Sequence, residues 1–226
     1  MSIELIKICK TYSTLGRRKM VFKNFDLVIP RGLSLGVIGA NGSGKSTLLG
    51  MIAGAIHPDS GRIKRDMSVS WPIGYGGAVA TSVTGVINCR FVARLYGKDP
   101  DEVVRFVADF SELGEFMDWP VKTYSSGMRG RLNFALSMAI DFDCTLVDEG
   151  MGAGDQFFRA KVEAAIEERR KRSSWVLVSH NLDEVIRLCD RVLVLGGPQP
   201  EISDDVEARV RRYAEDMAKR REEMNA

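Results

Sequence analysis

The sequence is poor in the residues that build metal clusters and disulfide frameworks. Among 226 residues there are only four cysteines and two histidines, and no two cysteines form a C-x-x-C pair. Zinc sites and disulfide scaffolds need such side chains at short, regular spacings. We therefore expect neither, and scattered single cysteines are typical of a reducing compartment.

Long apolar runs are also missing. No stretch approaches the roughly 18–20 apolar residues of a membrane-spanning helix, and the first seven residues carry charges where a secretory leader needs an apolar segment. The net charge is only +2 and 27% of the residues are charged. That balance predicts neither disorder nor a nucleic-acid-binding surface. A role at a membrane would therefore depend on a separate membrane partner.

The apolar pattern that is present predicts an α/β fold around a central, largely buried sheet. Short apolar runs alternate with helical stretches, and the chain is long enough for one core plus a small subdomain. A basic turn is expected at Thr14–Lys19. We predict four buried strands and two half-exposed ones, at Leu33–Gly39, Thr145–Asp148, Trp175–Ser179, Val192–Leu195, Ile3–Ile8 and Phe25–Ile29.

A helical subdomain is predicted at about residues 74–123, inserted into a core of about residues 1–73 and 124–202. It begins with a glycine-rich loop, Gly74–Gly77, and continues with helical patterns at Cys89–Tyr96 and Glu102–Phe110. A last helix is expected at about residues 204–222, capped by Asp204. Its apolar stripe, which docks on the core or binds a partner, consists of Val206, Val210, Tyr213 and Met217.

Residues 39–46 fit the P-loop pattern G-x-x-x-x-G-K-S/T, between a predicted strand and a predicted helix. A triphosphate is densely anionic, so the loop must turn backbone N–H groups inward, which glycines permit. The helix N-terminus adds a positive dipole. Lys45 is predicted to reach the β- and γ-phosphates, and Ser46 to ligate Mg²⁺. The predicted nucleotide-binding residues of this segment are Gly39, Ala40, Asn41, Gly42, Ser43, Gly44, Lys45, Ser46 and Thr47.

An acidic pair follows a second apolar run, Cys144–Val147. Asp148 would stand at the end of a buried strand, where it can hold the water shell of Mg²⁺. Glu149 can turn towards the attacking water as a general base. Kinases and GTPases also use P-loops; the lack of an N-K-x-D guanine-binding motif weakens the GTPase alternative and leaves the kinase open.

Tyr124-Ser-Ser-Gly-Met128, about twenty residues before Asp148, is similar to the L-S-G-G-Q signature. On these motifs the whole chain resembles the nucleotide-binding subunits of ABC transporters, that is, a RecA-like P-loop NTPase core with an inserted α-helical subdomain. The resemblance implies that Ser125, Ser126 and Gly127 grip the γ-phosphate bound to the opposite copy. An enzyme that phosphorylates a metabolite is disfavoured, because no separate acceptor domain is available.

Three further roles follow from the resemblance. His180, directly after a predicted strand, would contact the γ-phosphate and sense its loss. Asp155, in Gly152-Ala-Gly-Asp155, would belong to the D-loop, and Tyr12 would stack on adenine. One feature departs from the family: no glutamine precedes Gln156, so no residue is assigned to the usual link from Mg²⁺ to the membrane partner.

The segments Ser70–Gly77, Thr84-Gly85 and Tyr124–Met128 resemble cassettes that export capsular polysaccharide. This resemblance implies ATP and Mg²⁺ as ligands and a homodimer of cassettes bound to an integral membrane permease, in a two-plus-two transporter. It also implies a position on the cytoplasmic face of the inner membrane and a periplasmic adaptor reached through the permease. Export of O-antigen, teichoic acid, a lipid or a drug is the alternative. A soluble ABC ATPase acting on DNA or the ribosome is disfavoured, because there is no basic stripe, second cassette or long coiled coil.

Overall fold

A computed structural model describes residues 1–14, 17–73, 79–148, 156–197 and 199–225, which form eight strands and seven α-helices. The strands are β1 (Ser2–Thr14), β2 (Arg17–Pro30), β3 (Ser34–Gly39), β4 (Ser60–Arg65), β5 (Cys144–Asp148), β6 (Ser174–Val178), β7 (Arg191–Leu195) and β8 (Glu201–Ser203). The helices are α1 (Lys45–Ala53), α2 (Gly85–Leu95), α3 (Pro100–Ser111), α4 (Ser126–Ala139), α5 (Gln156–Arg170), α6 (Leu182–Leu188) and α7 (Val206–Asn225).

A five-stranded sheet forms the centre, in the order β5-β6-β3-β7-β8. The first four strands are parallel, and β8 pairs antiparallel with β7 at the edge. Every residue of β3, β5 and β6 is buried, because these strands are covered on both faces. Their continuous apolar sequences are those expected of an internal parallel sheet. The four predicted buried strands are confirmed, each to within about a residue.

A second, antiparallel sheet has the order β2-β1-β4. In β2 the residues alternate: Phe25, Leu27 and Ile29 are buried, whereas Val28 is exposed. The buried faces of both sheets share one apolar core with helix α1. From α1 this core takes Leu48, Leu49, Met51 and Ile52, so the antiparallel sheet and the central sheet pack on the same helix.

The expected basic turn at Thr14–Lys19 is wrong in its extent. Arg17, Arg18 and Lys19 already belong to β2, where they pair with Thr14, Ser13 and Tyr12 of β1. The two strands form one long hairpin because cross-strand pairing continues to Arg17. Only residues 15 and 16 of this segment lie outside the described chain.

Helices α2 and α3 and two 3₁₀ turns (Gly114–Asp118 and Val121–Thr123) lie between β4 and α4. Both helices begin before the predicted patterns, because capping residues start them. The Thr84 hydroxyl accepts from the N–H of Ile87, and the Asp99 carboxylate accepts from two N–H groups ahead of it. The predicted glycine-rich loop Gly74–Gly77 lies outside the described residues.

The C-terminal helix α7 docks on the core, as one of the two predicted alternatives has it. Val206 and Val210 are buried against the main apolar cluster, and Tyr213 packs partly against it. The predicted cap is wrong by one residue: the Asp205 carboxylate accepts from the N–H of Ala208. Asp204 forms an ion pair with Arg191 of β7 instead.

Candidate nucleotide-binding site

The P-loop joins the end of β3 to the start of α1 and lies in crowded surroundings. A Cβ atom added at Gly39 would stand 2.5 Å from the carbonyl oxygen of Leu195 and 2.6 Å from Ser43 Oγ. Gly44 has a φ of 107°, and a Cβ atom there would stand 2.4 Å from Val21. Both glycines are required because the backbone passes too close to its neighbours for any side chain.

Within the loop, carbonyl oxygens hold the side chain of Lys45. Its Nζ donates to the carbonyl of Gly39 at 2.8 Å and to that of Ala40 at 3.3 Å, and the residue is only 7% exposed. The N–H of Ser43 donates to the same Ala40 carbonyl at 3.1 Å. These are the donors that a P-loop offers to phosphate oxygens. A bound triphosphate would replace the loop carbonyls as their acceptor.

Two oxygen donors suited to a hard cation stand near this loop. Ser46 is exposed in the first turn of α1, and Asp148 is 5% exposed at the carboxyl end of β5. Because β5 is next to β6 and β6 is next to β3, the carboxylate ends at the same sheet edge as the P-loop. The described residues contain no cluster of three or more His, Cys, Asp or Glu side chains. A sparse set of oxygen donors fits Mg²⁺, which keeps waters and phosphate oxygens as ligands.

The predicted base Glu149 and the D-loop residue Asp155 lie outside the described residues. His180 is described: it is exposed and lies two residues after the end of β6, the strand between β3 and β5. Hydrogen bonds fix the backbone around it. Asn181 caps α6, and the Asn181 N–H donates to Ser179 Oγ at 3.0 Å. The edge that holds the P-loop and Asp148 therefore also presents His180.

Tyr12 stands on β1 with 41% of its surface exposed. The hydroxyl of Thr47, in the first turn of α1, donates to Tyr12 Oη at 3.3 Å. The contact places an exposed aromatic ring beside the helix that follows the P-loop. Such a ring is suited to stacking on a flat base.

Sequence reasoning did not find Lys19. Its Nζ donates to the carbonyl of Gly42 at 2.8 Å, and it pairs across the hairpin with Tyr12. The only signal in the sequence is the basic run Arg17–Lys19, which is indistinguishable from a solvated surface segment. The contact depends on hairpin pairing that the sequence does not display.

The signature segment opens helix α4. Ser125 is its N-cap and accepts from the N–H of Met128 at 3.2 Å, while Ser126 is exposed and Gly127 half-buried. Tyr124 is buried and its hydroxyl donates to the carbonyl of Phe116. The segment is thereby anchored to the 3₁₀ turn Gly114–Asp118, and α4 itself packs on α3. A cavity of about 420 Å³ lies beside Ser125 and Gly127.

The family model for ABC transporters matches residues 22–152, and the chain belongs to this family. It is 46% identical over 193 residues to the ATP-binding protein BexA of Haemophilus influenzae, covering 85% of this chain and 89% of that one. It is 47% identical over 194 residues to the polysialic acid transport ATP-binding protein KpsT of Escherichia coli (85% and 87%). The capsule polysaccharide export ATP-binding protein CtrD of Neisseria meningitidis is 43% identical over 193 residues (85% and 89%).

Solved structures agree on the fold. A dimeric ATP-binding cassette in a post-hydrolysis state, bound to ADP and Pi, superposes with a TM-score of 0.75 at 20% identity, covering 88% of this chain and 97% of that one. An ATP-binding subunit of an ABC transporter superposes with a TM-score of 0.77 at 20% identity, covering 92% and 93%. The fold is therefore that of an ABC cassette. None of the described helices is both long and apolar enough to cross a membrane.

Proposed function

We propose that this chain is the ATP-hydrolysing subunit of an ABC transporter that exports capsular polysaccharide. The observation that carries the proposal is the P-loop, Asp148 and His180 at one sheet edge, in a chain 43–47% identical to named capsule and polysialic acid transport subunits. The position is peripheral, on the cytoplasmic face of the inner membrane, beside an integral membrane permease that continues to a periplasmic adaptor.

In the proposed reaction the triphosphate lies along the P-loop. Tyr12 stacks on adenine and Lys45 contacts the β- and γ-phosphates. Ser46, and through waters Asp148, would hold Mg²⁺, which when bound would supply charge neutralisation at the phosphates. Glu149 takes a proton from water as the water oxygen bonds to the γ-phosphorus; the bond to the bridging oxygen breaks, giving ADP and phosphate.

Two copies would complete each other. The signature residues open helix α4, and a helix N-terminus is a favourable place for an anion. In a two-fold dimer, Ser125 to Gly127 of one copy would face the γ-phosphate held by Lys45 of the other. His180 would report the presence of that γ-phosphate to the interface.

The dimer can be tested with mixed populations. In a heterodimer of Lys45→Ala and Gly127→Asp subunits, both lesions fall in one composite site, so the second site stays intact. We expect the mixture to hydrolyse more ATP than either homodimer. No gain would mean that the sites are not shared in trans or that both must fire together.

A face of α2 supports docking on a permease. Ile87, Phe91 and Leu95 are 50%, 64% and 64% exposed, and their spacing of four residues puts them on one stripe. Arg90 and Arg94 lie between them on the exposed side. A contiguous apolar stripe on a surface is typical of an interaction site.

The cargo is tested in cells. Deleting the gene should leave polymer synthesis intact but block export, so that polysaccharide accumulates inside cells without a surface coat. Glu149→Gln should fail to restore the coat. The matched control is Glu168→Gln on the exposed side of α5, which should restore it. A deletion strain with a normal coat would contradict capsule export and point to another cargo, such as a lipid or a drug.

A further inference from the structure

The nucleotide-stacking residue Tyr12 lies just beyond a break in the antiparallel sheet. The ladder between β1 and β4 ends at the pair Cys9–Ser60, and the register of β1 against β2 shifts between Lys10 and Thr11. The strand therefore loses one of its two neighbours shortly before Tyr12. Thr11 and Tyr12 stay paired with β2 on one side, but on the side where β4 stops something other than strand pairing must hold the backbone.

Asp59, just before β4, holds the backbone of β1 at this point. Its own N–H donates to the carbonyl of Cys9 at 2.9 Å, and its Oδ2 accepts from the N–H of Thr11 at 2.6 Å. A side-chain carboxylate thus continues the ladder that the backbone of β4 no longer supplies. Thr11 directly precedes Tyr12, so this bond orients the backbone that carries the ring.

Lys10 joins the same contact. Its Nζ donates to Asp59 Oδ1 at 3.0 Å and to the carbonyl of His57 at 2.9 Å, and its side chain is only 16% exposed. The ammonium also lies 5.4 Å from the centre of the Tyr12 ring, within the range of a cation–π contact. The bond from Lys10, and then that from the Thr11 N–H, lower the pKa of Asp59 below its ordinary value.

Tyr12 is thereby restrained at both ends. The backbone before it is bound by Asp59, and its hydroxyl accepts from Thr47 of α1. An aromatic ring that is already oriented binds a flat ligand more tightly, because less conformational freedom is lost on binding. A half-exposed ring without these bonds would sample several orientations.

We propose that Asp59, together with Lys10, is a positioning residue for the nucleotide base, which holds Tyr12 in the orientation that stacks on adenine. This inference rests on the proposed nucleotide site. Asp59 acts through Tyr12 and does not itself touch the phosphates. It should therefore affect the binding of ligands that contain adenine and spare those that lack it.

The experiment compares two ligands by titration calorimetry on the full-length cassette: Mg²⁺ with the non-hydrolysable ATP analogue AMP-PNP, and inorganic tripolyphosphate, which has no base. The variants are Tyr12→Ala, Asp59→Ala and the double variant. Glu4→Ala is the matched control, since it removes a carboxylate from β1 and breaks the Glu4–Lys64 ion pair to β4, in which the Glu4 side chain is 31% exposed. It should leave both affinities unchanged.

Tyr12→Ala should raise the Kd for AMP-PNP at least about fivefold, the cost of losing one base–aromatic stack. Asp59→Ala should raise it about threefold, since a misoriented ring loses part of the stacking energy. The double variant should match Tyr12→Ala, and tripolyphosphate should bind all variants equally. Asp59→Asn keeps an oxygen for the Thr11 N–H but loses the charge opposite Lys10. Its Kd for AMP-PNP should lie between those of wild type and Asp59→Ala. If Asp59→Ala fails to fold, the comparison is made with Asp59→Asn.

Three results would overturn the inference: an unchanged Kd in Asp59→Ala, an equal loss for both ligands, or a double variant in which the two losses multiply. If Tyr12→Ala alone has no effect on AMP-PNP, the stacking role in the proposed function fails as well. If Tyr12→Ala weakens binding and Asp59→Ala does not, only the positioning role fails.

Discussion

Arg169 of α5 binds the C-terminal end of α4, the helix that the signature segment opens. Its Nη1 donates to the carbonyls of Ser137 and Met138 at 3.2 and 3.0 Å, and its Nη2 donates to the carbonyl of Ile140 at 2.6 Å and to Asp141 at 2.8 Å. The side chain is 5% exposed. The last carbonyls of a helix have no hydrogen-bond donor within it. Here one guanidinium donates to three of them.

Replacing Arg169 by Met tests this cap. Each hydrogen bond from a charged donor contributes about 1.5–3 kcal/mol, so the three carbonyl bonds together contribute about 5–9 kcal/mol. The cost of burying the guanidinium, several kcal/mol, offsets part of that. We expect the free energy of unfolding to fall by about 3 kcal/mol, measured by urea unfolding at 25 °C followed by circular dichroism.

Two variants control for charge and size. Arg172→Met removes the same charge from an exposed position nearby and should change the free energy of unfolding by no more than about 0.5 kcal/mol. Arg169→Lys keeps the charge but replaces the planar guanidinium by a single ammonium. Its free energy of unfolding should therefore lie between those of wild type and Arg169→Met. A loss below about 1 kcal/mol in Arg169→Met would refute the argument that this side chain caps α4.

Other outcomes can be measured directly. Gly39→Ala should abolish nucleotide binding, because its Cβ would stand 2.5 Å from a backbone oxygen; a wild-type Kd would contradict the crowding of the loop. Asp205→Ala should cost about 1 kcal/mol of stability as the lost cap of α7, whereas Asp204→Ala should cost less. In a thiol assay of the native protein at pH 8, Cys9 alone should react, since hydrogen bonds from Ser60 and Asn24 lower its pKa. Burial raises the pKa of each remaining thiol to about 12, so these should react only after unfolding: Cys89, Cys144 and Cys189.

Among the strands, the sequence predicted those that are apolar on both faces and missed those whose pattern is polar. β5 and β6 are buried throughout, so their apolar runs predicted them almost to the residue. β4, with the sequence Ser-Gly-Arg-Ile-Lys-Arg, has five exposed residues of six and no buried face. Its strand conformation comes from pairing with β1, which no local pattern shows.

The same division holds for the site. The P-loop was predictable because its glycines and lysine act through local backbone geometry. Lys19 and Asp59 were not, since each acts on a segment far along the chain through the pairing of β1 with its neighbours. Lysine and aspartate are common on any protein surface, so the residue types alone indicate no function. Only the pairing of the strands brings these two side chains to their contacts.

The exposed stripe on α2 also bears on how the protein is produced and kept in a cell. Phe91 and Leu95, each 64% exposed, form an exposed apolar patch on a cassette that is not bound to a permease. Such patches promote aggregation. We expect cassettes made in excess of their membrane partner to be lost to aggregation or proteolysis. The number of active subunits would then follow the number of permeases available to shield them.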